Sequence, residues 1–198
     1  GVALDSLSGV EEFRDPYRER FDLEGTVVFT VGNVFERKGL TTFCELAQRT
    51  DYEFVWFGPY DTGPHASESV KRWVNDPPES VTFTGWVEDK RGAFGAGDVF
   101  VFPTKSETQG LVALEAMACG KACVLSDLPV FREYFTDGED CLLCGNEAEY
   151  VEAIDRLAAD PELRAELGAN ARETARDHSL DRVGEELADI YHDLVGAT

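Results

Sequence analysis

Two glutamates with seven residues between them, Glu107 and Glu115, sit in the segment FPTKSETQGLVALEAMACGKACVLS, which runs from Phe102 to Ser126. An apolar run, Val99 to Phe102, stops at Pro103 just before them, and a second apolar run follows Gly120. That order fits a strand, a polar loop, a helix and another strand. The loop and the helix start are where such a unit binds ligands. Glu115 falls among Val112, Ala113, Leu114, Ala116 and Met117. Its carboxylate is therefore expected in largely apolar surroundings and needs a partner. A sugar diol is one, since each carboxylate oxygen can accept a hydroxyl hydrogen bond. Gln109, Gly110 and Leu111 stand at the helix start, where free N–H groups face an anion. The plainer reading also stands: in so acidic a chain, a loop carboxylate and a helix carboxylate reach this spacing by chance.

A second stretch carries the opposite charge. Gly32 to Lys38 is a glycine-led loop with Arg37 and Lys38 adjacent before a helix. Backbone N–H groups and a lysine point charge suit a diphosphate. The loop matches neither the GxxxxGK[ST] phosphate loop nor the GxGxxG dinucleotide fingerprint. A basic loop residue standing alone is more often solvated than functional.

The elements that position these residues alternate. Strands are predicted at Thr26 to Val31, Tyr52 to Phe57, Val81 to Thr84, Val99 to Phe102, Ala122 to Ser126 and Cys141 to Leu143. Helices are predicted at Pro16 to Phe21, Gly39 to Arg49, Ser67 to Asn75, Asp89 to Ala96, Leu111 to Cys119 and Val130 to Phe135. Three more follow at Glu147 to Ala159, Pro161 to Arg176 and Leu180 to Val195, with Asp160 capping before Pro161. Strands apolar throughout imply a parallel sheet covered on both faces. The expected fold is α/β, a Rossmann-like doubly wound parallel sheet of about six strands with extra C-terminal helices. No linker divides residues 1–198, which are read as one domain. In such a sheet the ligand lies outside the carboxyl ends of the strands. The residues there are Gly32-Asn33 with Arg37 to Gly39, Gly58-Pro59-Tyr60, Gly85-Trp86-Val87, Thr104 to Gly110 and Asp127-Leu128-Pro129. All are polar, glycine-rich or both.

Composition limits the functions open to this sheet. The 198 residues carry 39 Asp and Glu against 18 Lys and Arg, a formal net charge of −21. Such a surface repels a phosphate backbone, so nucleic acid is not the expected partner. Apolar periodic segments exclude a disordered acidic tail. Only five of the cations are lysines. A dispersed acidic surface with few lysines fits a salt-adapted, halophilic cytoplasm, where screening removes self-repulsion; a merely acidic protein is the alternative. No run approaches the roughly 18 apolar residues of a membrane span, and no signal peptide is visible.

The five cysteines, Cys44, Cys119, Cys123, Cys141 and Cys144, are odd in number, against a disulfide framework. Cys119-x3-Cys123 and Cys141-x2-Cys144 have spacings that could hold zinc. Cys123 and Cys141 lie in apolar runs, and buried thiols are the expectation; no metal site is expected.

Taken together, these residues carry a resemblance. Glu107 to Gly120 resembles the E-x7-E motif of the GT-B retaining glycosyltransferases, the large group 1 family that includes sucrose synthases and phosphatidylinositol mannosyltransferases. Phe102 to Ser106, Val31 to Gly39 (VGNVFERKG) and Asp137 to Asp140 also match, and the likeness covers nearly the whole chain. It is a likeness to the C-terminal, donor-binding half of such an enzyme. It implies a hexose moved from a nucleotide diphosphate sugar, a UDP-sugar or GDP-sugar, with no catalytic metal and no further cofactor. An N-terminal acceptor-binding half would lie outside this chain, and the chain alone would transfer little or no sugar.

The resemblance also implies roles. Lys38 would bind the diphosphate and Gly32 would let the loop approach it. Glu107 would hold hydroxyls of the transferred sugar, and with Lys38 it would stand nearest the reaction. The backbone of Gln109, Gly110, Leu111 and Val112 would hold sugar and phosphates, and Glu115 the ribose. Trp86, Val87 and Gly58 would surround the base. Many members carry Arg where Asn33 stands, and Asn33 cannot supply that charge. Arg37 is expected to point elsewhere. Phe35 to Gly39, Phe54 to Gly58, Glu107 to Gly110 and Asp127 to Phe131 are similar to the diacylglycerol glucosyltransferases, which implies a lipid acceptor; a glycan is the alternative. The full-length enzyme would then be cytoplasmic and peripheral at the inner face of the membrane. Two other functions remain open: a non-catalytic Rossmann-like module that binds a nucleotide or partner, and a sugar-nucleotide epimerase. The latter needs histidines, and His65, His178 and His192 do not follow predicted strands.

Overall fold

The computed structural model describes residues 1–196. Six parallel strands form one sheet: β1 (Val27–Val31), β2 (Glu53–Phe57), β3 (Val81–Gly85), β4 (Val99–Phe102), β5 (Ala122–Ser126) and β6 (Leu142–Cys144). Their order is β3-β2-β1-β4-β5-β6, the Rossmann-like order expected from alternating strands and helices. The strands are largely apolar because both faces of the sheet are covered. Val27, Phe29, Val55, Phe57, Phe100, Phe102, Cys123 and Leu125 enter one core. Val28, Phe54, Trp56, Val99, Val101, Ala122 and Val124 enter the other. Successive residues face opposite ways, so β4 is buried at every position and β1, β2 and β5 at all but one, while the edge strand β3 is mostly half-buried.

The covering helices are α1 (Arg14–Phe21), α2 (Leu40–Ala47), α3 (Glu68–Asn75), α4 (Lys90–Ala96), α5 (Leu111–Ala118), α6 (Pro129–Tyr134), α7 (Glu147–Ala159), α8 (Pro161–Asp177) and α9 (Leu180–Gly196). Asp160 caps α8 as its sequence predicts, its side chain accepting from Glu162 N and Leu163 N. Helix α2 starts one residue later than expected. Glu36–Lys38 form a separate 3-10 turn, which closes on Gly39 in the left-handed region at φ +84°. Strand β6 is shifted one residue forward, because Cys141 is taken up in a bridge to Asp137. The N-terminal lead-in is more structured than its turn-rich sequence suggests. Leu4–Leu7 and Val10–Phe13 form 3-10 turns, and Val2 bridges to Ser179.

Asp98 fastens this lead-in to the sheet. Its carboxylate accepts from Arg14 Nη2 at 2.7 Å, Arg18 Nη1 at 3.1 Å and Val27 N at 2.9 Å. Burial alone would raise this carboxyl, but the Val27 N–H and the two guanidinium groups outweigh it and hold it below its ordinary range.

Helix α9 differs from the rest. Leu180, Leu187, Ile190 and Leu194 lie on one side of it at helical spacing and are all more than half exposed. Among the described residues no helix is long and apolar enough to cross a membrane.

Candidate functional site

Strand order reverses at β1, which pairs with β2 on one side and β4 on the other. The loops leaving β1 and β4 open a crevice there. The β1 loop begins at Gly32, at φ +139°, whose carbonyl accepts from Trp56 Nε1 at 2.8 Å and whose N–H reaches Phe57 O at 2.9 Å. Asn33 follows, exposed on the crevice floor. The loop then folds into the Glu36–Lys38 turn. A Cβ on Gly39 would lie 2.0 Å from Pro103 O, so only glycine lets the two loops touch. Thr104 Oγ1 and Lys105 N both donate to Arg37 O, at 3.1 and 2.9 Å.

This contact brings opposite charges together. Lys38 Nζ donates to Glu107 Oε1 at 2.5 Å and sits over the Phe102 ring. Thr104 Oγ1 reaches the same carboxylate oxygen at 3.3 Å. Arg37 does not point elsewhere, as its place at a helix start suggests. Because its carbonyl is pinned to the β4 loop, its Nη1 reaches Ser106 O at 3.0 Å and Glu107 Oε1 at 3.4 Å. Glu36 is held by Lys105 and Thr41. Burial would raise its carboxyl, and these partners lower it instead.

The second wall is the start of α5. Gly110 stands at φ +71°, and a Cβ there would meet the Phe131 ring at 2.4 Å. Its carbonyl accepts from Ala113 N at 2.8 Å, which begins the helix. The N–H groups of Leu111 and Val112 precede the first intrahelical bond and are left for other acceptors. Gln109, Gly110, Leu111, Val112 and Glu115 line the crevice with Lys38 and Glu107, around a cavity of about 490 Å³. Glu115 is one helical turn beyond Leu111 and shares its face. Its surroundings are less apolar than its sequence neighbours imply. The side chain is 24% exposed and accepts from Lys90 Nζ at 2.8 Å, and Lys90 opens α4.

Beyond Gly32 and Asn33 the crevice continues into a cavity of about 640 Å³, lined by Gly58, Pro59, Trp86, Val87 and Lys90 among others. Val31, Gly32 and Asn33 line both lobes, so the two form one cleft. Gly58, at φ +150°, has no room for a Cβ, which would fall 2.0 Å from Gly32 O. Val87 is buried in the wall and Trp86, 74% exposed, forms the lip. The cleft thus runs from a lobe that mixes apolar Phe57, Pro59, Trp86 and Val87 with charged Glu88, Asp89 and Lys90, past a glycine turn, to a cation–carboxylate end. Gly32, Asn33, Lys38, Gly58, Trp86, Val87, Glu107, Glu115 and the segment 109–112 all line it, whereas Tyr60, Gly85, Thr104 and the Asp127-Leu128-Pro129 turn after β5 do not.

Lys90 carries no signal in the sequence that marks it for the cleft. It is not among the residues that directly follow a strand, although it is only five positions past Gly85, the end of β3. The histidines are elsewhere: none of His65, His178 and His192 lines the cleft. All five cysteines are buried. Cys119, Cys123 and Cys141 face one core, while Cys44 and Cys144 face the other, across the sheet. Cys141 and Cys144 therefore cannot share a metal. Burial pushes the Cys44, Cys119 and Cys144 thiols up to about 12. Among the described residues no cluster of His, Cys, Asp and Glu could hold a metal ion.

Comparison with known proteins gives the fold and sequence a context. The family model described as "Glycosyl transferases group 1" matches residues 25–160. The processive diacylglycerol alpha-glucosyltransferase of Acholeplasma laidlawii is 30% identical over 200 residues, covering 98% of this chain and 59% of that protein. The sucrose-phosphate synthase structure from Thermosynechococcus elongatus superposes with a TM-score of 0.84 at 25% identity, over 100% of this chain and 52% of the other. HepE of Anabaena, solved with UDP, superposes with a TM-score of 0.86 at 18% identity, over 98% of this chain and 56% of its own. The chain spans about half the length of the relatives it matches.

Proposed function

The chain belongs to the glycosyl transferases group 1 family, and we propose that it is the donor-binding half of a retaining, GT-B hexosyltransferase. The observation that carries this reading is the cleft at the strand-order reversal. One end sets Lys38 against Glu107 beside the start of α5, and the other offers the apolar surfaces of Phe57, Pro59, Trp86 and Val87 among charged neighbours. A nucleoside diphosphate sugar has the same sequence of parts: a flat base, a ribose diol, two phosphates and a polyol.

In this reading the base lies among Gly58, Trp86 and Val87, and Glu115 accepts from the ribose hydroxyls. Lys38 and the N–H groups of Gly110, Leu111 and Val112 face the diphosphate. Glu107, with Gln109, holds hydroxyls of the hexose. As the bond from the anomeric carbon to the diphosphate breaks, negative charge grows on the leaving phosphate. Lys38 and the helix start stabilise it there without reorganising. The acceptor hydroxyl enters as the phosphate leaves, and its proton goes to a group outside this chain or to the departing phosphate. The glutamates position the donor and transfer no proton. No step calls for a catalytic metal.

UDP is the first donor nucleotide to test, by similarity to HepE. A lipid acceptor, and with it a peripheral place at the membrane, is supported by the likeness to a diacylglycerol glucosyltransferase. The acceptor-binding half is assigned to a separate domain of a longer protein. The length of the relatives supports this, and so does the exposed apolar side of α9, which such a domain could cover. The opposite side of α9 carries Asp181, Glu185, Glu186, Asp189 and Asp193 against a single Arg182. That balance disfavours an anionic membrane as its cover.

Calorimetry of this chain with UDP, GDP and ADP tests the reading. One of them should bind, and Lys38→Ala and Glu115→Ala should each weaken it about tenfold or more, as expected for lost charge-assisted hydrogen bonds. If none of the three binds, the donor reading is wrong. Sugar transfer by this chain alone would overturn its assignment as half an enzyme.

A further inference from the structure

We propose that Lys90 is a second diphosphate-binding cation of the cleft, serving the phosphate next to the ribose. The proposal rests on the nucleotide reading above and adds a residue that reading does not use.

The cleft is short of available positive charge. Arg37, Lys38, Lys90 and Arg91 line its two lobes, against Asp5, Glu88, Asp89, Glu107 and Glu115. Arg91 is consumed by Asp89, which takes its Nε and Nη2 at 3.0 and 2.6 Å. Its guanidinium also lies over the Phe13 ring. Arg37 is tied to Ser106 O at the sugar end. Asn33, on the floor between the lobes, is neutral. Lys38 alone would then face two phosphates.

Lys90 is placed to relieve this. It stands on the wall that carries Trp86 and Val87 and reaches over to Glu115 on the opposite wall, at 2.8 Å. The pair spans the boundary between the lobes, beside Gly32 and Asn33. If the carboxylate takes the ribose diol, the next group along the donor is the first phosphate. An ammonium has three donors, and Glu115 uses one of them. The side chain is 43% exposed, so a rotation of its flexible stem aims the other two at a phosphate without leaving the carboxylate. Glu115 keeps its second oxygen for the diol.

The alternative is that Lys90 only positions Glu115. The two roles separate by comparing ligands with and without phosphate. Binding of uridine and UDP to this chain is measured by NMR titration for the native protein, Lys90→Met and Lys90→Arg, with thermal melts to confirm folding. Lys90→Met should weaken UDP about tenfold or more while uridine stays unchanged or tightens, and Lys90→Arg should keep most of the UDP affinity. Equal weakening of uridine and UDP would reduce Lys90 to a positioning residue and overturn the proposal. So would UDP affinity unchanged in Lys90→Met. Failure of the native chain to bind UDP, GDP or ADP would instead remove the donor reading itself, and this proposal with it.

Discussion

Lys38, which follows β1, and Glu107, which follows β4, close on each other across the reversal of strand order. The carboxylate is 8% exposed and the ammonium 20%. The cation proposed for the diphosphate is therefore held by the carboxylate proposed for the sugar. A diphosphate must draw Lys38 partly away from Glu107. Glu107→Gln removes that competition. It should tighten UDP by roughly two- to fivefold, the worth of a pair on the order of 1 kcal/mol. UDP-glucose should lose whatever advantage it has over UDP, because the carboxylate facing the hexose is gone. Calorimetry with both ligands reads the two effects. Weaker UDP binding by the variant would show that the pair does not compete with the phosphates.

The meeting of these loops depends on Gly39. A methyl group there would overlap the Pro103 carbonyl, at 2.0 Å, on a backbone already at φ +84°. Gly39→Ala should therefore cost about 3 kcal/mol of stability, by overpacking and backbone strain together. It should also weaken UDP, since Lys38 and the β4 loop can no longer share one position. Urea unfolding and calorimetry measure these separately. A variant with native stability would mean the loops part easily.

Most of this fold is legible in the sequence because its strands are bounded by Gly, Pro and Asp and its helices carry apolar faces of period 3.6. Strands β4 and β5 match their predicted bounds. What the sequence hides is geometry that depends on contact between loops. Arg37 turns to Glu107 because Thr104 and Lys105 pin its carbonyl, and neither is near it in sequence. Glu115 finds Lys90 because α4 and α5 lie on the same side of the sheet. Its apolar neighbours predict burial, but they face the core while Glu115 faces the cleft. A Cys-x2-Cys spacing suggests a metal pair, and strand alternation sends the two thiols to opposite cores.

Asp98 gives stability a pH dependence at the acid end. Its folded carboxyl is held below its ordinary value, so the unfolded chain binds the proton more readily. The stabilisation is complete above the unfolded value of about 3.9 and is lost as pH falls through the lower folded value. Asp98→Asn leaves Arg14 and Arg18 facing a neutral amide at a site only 12% exposed. It should cost about 3 kcal/mol at pH 7, as for a broken buried pair. The gap between variant and native protein should shrink as pH is lowered below about 4. Urea midpoints at pH 7, 5 and 3.5 test this; a gap constant across the three would rule out the charge as its source.

The net charge of −21 sets the last prediction, that salt stabilises the protein. Acidic groups lie along the whole chain, and many of the ion pairs are local and exposed, such as Arg176–Glu173 and Arg182–Glu185. Repulsion among unpaired carboxylates should therefore exceed what such pairs return. Raising KCl shortens the screening length from about 10 Å at 0.1 M to about 3 Å at 1 M, which removes long-range repulsion first. The melting temperature should rise by roughly 5 °C or more between 0.1 and 2 M KCl, equivalent to a gain of about 2 kcal/mol for a chain of this length. Chloride is the right anion, because sulfate would also strengthen apolar burial and confuse the two effects. Differential scanning calorimetry at both salt levels decides the matter. A melting temperature that stays level or falls would mean that the local ion pairs already balance the surface, and that the acidic composition is no adaptation to salt.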